Sequence, residues 1–411
     1  MITFQTLAIL LTFAALGAYI NKRFLELPAT MGVMVVALLI SLAALGLGRL
    51  GLVNLAASSA FISGVDFSGL FLHGMLSFLL FAGALHVDLS ELKKFRWIVA
   101  ILATAGVVVA TFVTGGLVWH AANLFGFSFP YIYALLFGAL IAPTDAVAVL
   151  GVLKESGLSK SLRIKIASES LFNDGVGVVI FLVLLDMMEG HQLPGAADIL
   201  FTLIWSGLGS VILGLTLGWI TYRLLNSIDD YKVEVLLTLA LVAGGYSLAE
   251  TIGVSGPITM VVAGLFMGNH GRVFGMSEKT RKHLDMFWEL LDEVLNALLF
   301  IFIGLEMMVI TITATHLALG LAAIIAMLTG RFISVAIPVL IMRMHYKFEK
   351  GTIRLLTWGG LRGGISIAMA LALPPGPEKD VVIAMTYLAV VFSILFQGTT
   401  FRHAARMIVK S

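Results

Sequence analysis

The residues of this sequence most able to do chemistry are carboxylates and hydroxyls that stand inside apolar segments. Residues 169–174 read Glu-Ser-Leu-Phe-Asn-Asp, which places Ser170 and Asp174 four residues apart and on one face of a helix. A hydroxyl and a carboxylate on one face suit a hard cation, because such ions take several oxygen ligands. Glu169 lies about 140° round the same helix and points elsewhere. The alternative, in which Asn173 and Asp174 are ordinary hydrogen-bonding residues between helices, is disfavoured by two acids and an amide within six residues.

A proline interrupts another apolar segment directly before a hydroxyl and a carboxylate. Pro143 removes a helical hydrogen bond and clashes with the preceding turn, so carbonyl groups are freed beside Thr144 and Asp145. In a membrane, unwound backbone is tolerated only where it is buried in protein or lines a cavity. Broken helices near the midplane are how many secondary transporters hold Na⁺ or protons. The alternative is a kinked helix with an aspartate near its cytoplasmic end.

A third feature is an arginine that stands among glycines. Residues 358–364 read Trp-Gly-Gly-Leu-Arg-Gly-Gly, and each glycine weakens a helix by about 1 kcal/mol relative to alanine. This predicts a second broken helix, in which Arg362 faces the ends of the two half-helices.

These polar residues stand in a chain that is too apolar for a soluble fold. Of its 411 residues, 59% are hydrophobic and only 12% are charged, with a mean hydropathy of +1.03, whereas a soluble domain carries about 25% charged residues. The net charge of +2 gives no reason to expect a nucleic acid or an acidic partner. Because the chain has no cysteine, disulfides and thiolate chemistry are excluded. The first apolar segment lacks a basic start and a cleavage site, so we expect a retained helix.

Apolar runs of about 20 residues, the length that crosses a bilayer, predict thirteen transmembrane helices. The predicted spans are residues 4–20, 28–47, 68–86, 97–120, 131–153, 162–187, 198–223, 233–250, 254–270, 290–312, 316–342, 354–373 and 381–401. This layout places all but four of the 26 basic residues on one side, as expected for cytoplasmic loops. The exceptions are Arg49 and Lys379 on the opposite side, and Arg331 and Arg362 inside spans. The fold prediction is an all-α polytopic membrane protein whose N-terminus is outside and whose C-terminus is cytoplasmic.

The two broken spans occupy matching positions in the predicted order. If spans 1–6 and 8–13 are repeats, the fifth and twelfth correspond, and the offset of seven spans inverts the second copy. A pair of interrupted segments at matching positions is the best sequence pointer to a transporter site. We therefore predict two inverted six-helix repeats with broken helices 5 and 12, from position and not from residue-level similarity.

At these residues the chain closely resembles the electroneutral sodium/proton antiporter family, which includes bacterial NhaP-type and animal NHE-type exchangers. The matching motifs are Ala-Pro-Thr-Asp at 142–145, Glu-Ser-Leu-Phe-Asn-Asp at 169–174, Gly-Arg at 330–331 and Gly-Gly-Leu-Arg-Gly at 359–363. The resemblance covers the whole chain. It implies that Na⁺, with Li⁺ as a further substrate, is exchanged for H⁺ at 1:1 electroneutral stoichiometry by alternating access, with no cofactor beyond the transported ions.

The resemblance assigns roles to the residues of the motifs. Asp174 would alternately hold the proton or the cation, because burial disfavours a charged carboxylate and a bound cation stabilises it. Ser170, Asp145 and the backbone carbonyl of Thr144 would complete the cation shell. Asn173 stands where electrogenic relatives have a second aspartate, which implies one proton per cation.

A buried ion pair is the other expectation from the resemblance. Glu169 is expected to pair with an arginine, Arg331 as the first choice and Arg362 as the alternative. Removing Glu169 should then destabilise the protein by several kcal/mol, because an arginine is left unpaired.

The resemblance further implies a homodimer in the cell (inner) membrane, in which a core moves against a scaffold. The expected division is scaffold and dimerisation helices 1–3 in residues 1–96, core ion-transport helices 4–6 in 97–190, linker helix 7 in 191–228, scaffold and dimerisation helices 8–10 in 229–312, and core helices 11–13 in 313–411. Two departures stand out. Some members carry an acid in the third span, where this chain has Leu-Phe-Ala-Gly at 80–83 and Asp88 is expected at the cytoplasmic mouth. Animal members have a long regulatory tail, whereas this sequence ends about ten residues after its last predicted span. No tail-binding partner is therefore expected.

Other functions remain open from the residues alone. A K⁺/H⁺ exchanger on the same fold is the nearest rival, because carboxylate and hydroxyl ligands do not separate Na⁺ from K⁺. A passive cation channel is disfavoured, since no selectivity-filter loop is visible and the acids sit on broken helices. An intramembrane enzyme is disfavoured because the HExxH and GxSxG motifs are absent. The acidic run from Glu289 to Glu293, with Asp292, is expected to face a cytoplasmic vestibule and to attract cations.

Overall fold

The structure is a computed structural model that describes residues 4–27, 32–33, 35–37, 39–40, 74–145, 149, 158–188, 196–306 and 313–410. Within those ranges every regular element is helical. The helices, numbered in chain order, are α1 Phe4–Ile20, α2 Leu76–Leu85, α3 Leu89–Ala103, α4 Ala105–Leu124, α5 Tyr131–Ile141, α6 Lys160–Met188, α7 Ala196–Leu225, α8 Tyr231–Thr251, α9 Gly256–Phe266, α10 Arg272–Gly275, α11 Glu278–Glu306, α12 Ala314–Met342, α13 Thr352–Trp358, α14 Gly364–Leu371, α15 Pro377–Phe392 and α16 Thr399–Lys410. Wider π-helical turns occupy Asn21–Leu25, Met267–Gly271 and Ser393–Gly398.

The outer surface of the described helices is apolar. Seven helical stretches in the described ranges are long and apolar enough to cross a membrane. On α12, for example, Leu321, Ile325 and Ile341 are each more than 60% exposed, as lipid-facing side chains are. The protein is therefore a multi-pass helical membrane protein. The number thirteen stays a prediction, because most of the second predicted span (28–47) and the start of the third (68–73) lie outside the described residues.

Small residues allow α4, α5 and α12 to pack with their backbones in near contact. A Cβ atom added to Gly138 of α5 would lie 2.2 Å from the Thr111 carbonyl oxygen of α4. One added to Gly330 of α12 would lie 2.1 Å from the Thr114 hydroxyl. Close approach at glycines is a common means of joining membrane helices. This packing fixes the end of α5, after which the chain unwinds.

The long helix α6 runs beside that end of α5. Gly177 allows the contact, because a Cβ there would lie 2.2 Å from Cγ of Pro143. As a result, the break that the proline creates is pressed against the stretch of α6 that carries Glu169, Asn173 and Asp174.

Besides the large apolar core that most of the described helices share, a second apolar cluster joins α2, α8, α9 and α11. Its centre is Trp288, which is fully buried and packs against Phe81 at a ring-centroid distance of 4.7 Å. The indole N–H donates to the Thr238 hydroxyl at 3.1 Å, so the polar edge of the ring is satisfied. The cluster anchors α11 against α2 and α8.

Candidate cation site

Two interrupted helices cross each other at the site. Residues 143–145, after α5, have no regular structure, and the same holds for residues 360–363 between α13 and α14. Both interruptions that the sequence predicts are thus present. The backbone N–H of Asp145 donates to the carbonyl of Leu361 at 2.8 Å, so each break satisfies part of the other.

Arg362 closes the end of α5. Its side chain is 1% exposed, and Nη1 donates to the carbonyl oxygens of Ala142 and Pro143, the latter at 2.7 Å. A helix end leaves its last carbonyls without helical partners and carries partial negative charge. A guanidinium placed there supplies both the donors and the compensating charge. The backbone N–H of Arg362 is held in turn by the Ser393 hydroxyl at 2.9 Å.

Glu169 forms a buried, two-pronged ion pair with Arg331. The guanidinium donates from Nη1 to Oε1 at 2.7 Å and from Nη2 to Oε2 at 2.6 Å. Nε of the same arginine donates to the Leu356 carbonyl at 3.3 Å. Glu169 is fully buried, and the Arg331 side chain is 7% exposed. Of the two arginines that the sequence leaves open as partners of Glu169, the structure places Arg331 against it and Arg362 at the end of α5.

Asn173 ties the break after α5 to α6. Its Oδ1 accepts from the Thr144 backbone N–H at 3.0 Å. Its Nδ2 donates to the Thr144 hydroxyl at 2.8 Å and to Glu169 Oε1 at 2.7 Å. The Thr144 and Ser170 hydroxyls lie 2.8 Å apart and share a hydrogen bond. All four side chains are fully buried, so the network is a rigid polar clamp between the two elements.

Asp174 lies beside this clamp and lines a small cavity. The cavity has a volume of about 30 Å³, and Asp145 lines it together with Asp174. Room for a water molecule requires about 10–15 Å³ on this measure, so the cavity has room for one small cation that has lost most of its water shell. Asp174 is 5% exposed and forms no hydrogen bond or ion pair with any residue that the structure describes. Two carboxylates thus share a nearly buried space, which favours a bound cation or a proton.

A glycine keeps Asp145 in place beside the cavity. A Cβ added to Gly363 would lie 2.1 Å from Oδ2 of Asp145 and 2.7 Å from its Cβ and Cγ. The whole aspartate side chain would therefore have to move. The second broken helix therefore supports the site in two ways: Gly363 leaves room for the Asp145 side chain, and Arg362 caps the end of α5.

The remaining sequence-predicted residues lie beside the cavity and not on it. Ser170 and Thr144 are within the clamp, and Pro143 packs on Gly177. The cavity wall at residues 79–83 of α2 is apolar, formed by Leu79, Leu80 and Gly83. Asp88 is exposed beyond the end of α2, where it accepts from the Ser90 N–H at 2.8 Å.

Sequence reasoning missed one polar residue of the cavity, Asn296 of α11. It is 6% exposed and lines the cavity with Asp145 and Asp174. A signal was present, because Asn296 follows Asp292 by one helical turn and is the first amide inside an otherwise apolar stretch. Which helix would border the site could not be read from that stretch alone.

The chain is similar in sequence and in fold to known sodium/proton antiporters. A sequence model of the family described as sodium/hydrogen exchanger, transmembrane, matches residues 10–406. The Na⁺/H⁺ antiporter NhaP of Pseudomonas aeruginosa is 46% identical over 406 residues, which cover 98% of this chain and 96% of the relative. The Na⁺/H⁺ antiporter NhaH of Halobacillus dabanensis is 34% identical over 72% of this chain and 73% of its own length. The solved structure of the sodium proton antiporter MjNhaP1 from Methanocaldococcus jannaschii superposes with a TM-score of 0.76 at 20% identity, covering 99% of this chain and 98% of that one.

Proposed function

The chain belongs to the sodium/hydrogen exchanger family, and from that premise we propose that it is a secondary antiporter that exchanges Na⁺ for H⁺ across a membrane. Membership also confirms the resemblance that the motifs predict. The observation that carries the proposal is the contrast between two acids of α6. Glu169 is neutralised by Arg331, whereas Asp174 faces a cavity with no hydrogen-bonding partner among the described residues.

The proposed mechanism is competition for Asp174. Burial disfavours the charged carboxylate, so the empty site takes up a proton, and a bound cation favours the charged form. Asp145 is the second carboxylate of the shell, and we assign Ser170 and the Thr144 carbonyl to it as further oxygens. To reach the cation, the Ser170 hydroxyl would turn from the Thr144 hydroxyl toward the cavity. Because one occupant excludes the other, alternating access would couple the two gradients without ATP.

We further propose 1:1 electroneutral exchange, with Li⁺ accepted as well as Na⁺. Asn173 supports the stoichiometry, because its amide is engaged by Thr144 and Glu169 and carries no proton that could be transported. Glu169 is held by Arg331, so it supplies no second exchangeable proton. One carboxylate would then carry one proton against one cation.

The overall layout belongs to the same proposal. We propose thirteen transmembrane helices in two inverted repeats, with the N-terminus outside and the C-terminus in the cytoplasm of the cell membrane. Residues 97–190 and 313–411 would form the moving core, residues 1–96 and 229–312 the scaffold of a homodimer, and residues 191–228 the linker. The crossing of the two broken helices supports this division, since both lie in the proposed core.

The test uses purified protein in liposomes with an imposed pH gradient. Internal pH is followed while Na⁺, Li⁺ or K⁺ is added, for the wild type and Asp174→Asn, with and without a clamped membrane potential. Proton movement that Na⁺ triggers, that does not depend on potential and that Asp174→Asn abolishes is the expected result. A response to K⁺ alone would change the substrate and keep the mechanism. Cation flux without proton movement, or flux that survives Asp174→Asn, would contradict antiport and favour a channel.

The competition itself is tested by the dependence of exchange on pH. A proton that occupies Asp174 excludes Na⁺, so acidification should slow exchange at low Na⁺, and saturating Na⁺ should overcome the inhibition. The measurement is the initial rate of exchange against Na⁺ concentration at several pH values. Equal sensitivity to pH at low and at saturating Na⁺ would show that simple competition is wrong.

A further inference from the structure

A second pair of oxygen-bearing side chains lies beside the cavity on α11. Asn296 lines the cavity, and Asp292 stands one helical turn before it on the same face. The Asn296 amide nitrogen donates to the backbone carbonyl of Asp292 at 3.0 Å. The Asn296 side-chain oxygen accepts no hydrogen bond from the residues that the structure describes, although the residue is 6% exposed. A nearly buried amide without a donor to its oxygen among the described residues therefore lines the space that Asp145 and Asp174 share.

Asp292 is also incompletely satisfied. Its Oδ1 is buried and has no hydrogen-bonding partner in the described part of the chain. The charged groups that act on it are all acidic: Asp145 across the cavity, and Glu289 and Glu293 on its own helix. Leaving a buried charged oxygen without a donor costs at least about 1–3 kcal/mol. Because the neighbouring charges are negative, a cation from solution is the partner that would relieve this cost.

We propose that Asp292 and Asn296 form a second, transient binding site for the transported monovalent cation, on the approach to Asp145 and Asp174. This inference rests on the proposed antiport function and adds a station to its path. Asp292 takes the partly hydrated ion, and the Asn296 oxygen replaces a water ligand as the ion moves along α11 toward Asp174. One helical turn, about 5.4 Å, separates the two levels of the path.

The position of Asp292 on α11 gives the approach a direction. Lys279, Arg281 and Lys282 lie in the first turns of the helix, at the end that the distribution of basic residues places in the cytoplasm. Asp292 lies between that end and Asn296. The second site is therefore on the cytoplasmic approach.

The experiment compares two substitutions at adjacent residues of α11. Asp292→Asn removes a charge that faces the cavity approach. Glu293→Gln removes an equal charge from an exposed side chain on another face of the helix. In liposomes we expect Asp292→Asn to raise the KM for Na⁺ by about tenfold, the effect of losing one charged ligand, with a smaller fall in maximal rate. Glu293→Gln should change the KM by less than about twofold, as a surface charge does.

Ionic strength separates a ligand from a general surface potential. Attraction by exposed charges is screened over about 8–10 Å at ordinary salt, so adding choline chloride would erase it. The difference in KM between the wild type and Asp292→Asn should persist in choline chloride. Equal shifts in the two variants, or a difference that salt removes, would overturn the second site.

A second variant, Asn296→Ala, keeps the proposal testable if Asp292→Asn does not fold. Asn296→Ala removes the cavity oxygen and keeps Asp292, and it should also raise the KM for Na⁺. An unchanged KM in a folded Asn296→Ala protein would equally overturn the inference. Failure of the antiport proposal looks different, because cation flux would then occur without proton movement or would survive Asp174→Asn, whatever the α11 variants do.

Discussion

Glu169 and Asp174 are two buried acids on one helix, and their surroundings are opposite. Glu169 receives two donors from Arg331 and one from Asn173. Asp174 receives none from the described residues and faces a cavity beside Asp145. Burial is therefore the same for both, and the supply of partners differs. A carboxylate in a membrane helix is thus exchangeable where the fold provides no hydrogen-bond donors, and structural where the fold provides them.

The helical period produces this difference. Residues five apart on a helix point about 140° from each other, so α6 presents one acid to α12 and the other to the cavity bordered by α2 and α11. Asn173 lies four residues after Glu169 and so shares its face. The same segment thus serves as a clamp on one side and as a binding site on the other.

Asp174→Asn should have the largest effect on the rate of exchange. A neutral amide can neither release a proton nor balance a cation, so exchange should fall by more than about 100-fold. The thermal unfolding midpoint in detergent should stay the same or rise, because a buried group that needs no counter-charge replaces one that does. A large fall in that midpoint would place Asp174 in the same structural class as Glu169.

Glu169→Ala should have the opposite profile, with stability as the property that changes most. Removing the carboxylate leaves Arg331 buried and uncompensated, at a cost of about 3–5 kcal/mol. The measurement is the thermal unfolding midpoint in detergent. A double variant, Glu169→Gln with Arg331→Met, should recover part of the loss, since no lone charge remains. An unchanged midpoint in Glu169→Ala would remove the ion pair from its structural role.

Asn173→Ala tests the residue that links the Glu169–Arg331 ion pair to the broken end of α5. The substitution removes one donor from Glu169 and leaves the Thr144 backbone N–H without its acceptor. Unsatisfied buried groups of this kind cost about 1–3 kcal/mol, which is less than the loss of the ion pair. The unfolding midpoint should therefore fall between those of the wild type and Glu169→Ala. A fall as large as that of Glu169→Ala would mean that the clamp is one indivisible unit.

Some features of this site could be predicted from the sequence, and others depend on tertiary packing. The two interruptions, at Pro143 and around Arg362, were predictable because proline and clustered glycines weaken a helix whatever surrounds them. The separation of Glu169 from Asp174 on α6 was predictable from the helical period. The partner of Glu169 was narrowed to two arginines of the same chemistry, with Arg331 as the first choice, and the packing of α12 places Arg331 within reach.

Contacts between distant segments limited the prediction of the cavity. Asn296 lines the cavity together with Asp174, on a helix that Trp288 anchors in the second apolar cluster. Ser170 and Thr144 have the oxygens of a cation shell, yet their hydroxyls bond to each other across the break. Residue type and spacing indicate what a side chain can bind, and the tertiary contacts decide what it does bind.

Gly363→Ala should disturb the cavity beside Asp145 and leave the Glu169–Arg331 ion pair intact, with the smallest expected effect of these variants. The new methyl group would collide with the Asp145 side chain and displace it from the cavity, while the Glu169–Arg331 pair is untouched. The KM for Na⁺ should rise by about tenfold, since a shift of one ligand weakens a charge-assisted contact. The unfolding midpoint should fall less than that of Glu169→Ala, because overpacking of this kind costs about 1–3 kcal/mol. Gly116→Ala on α4 is the matched control, because no atom lies within 4 Å of a Cβ there. If both alanine variants behave alike, Asp145 does not need its present position, and the cavity would have to be defined by Asp174 alone.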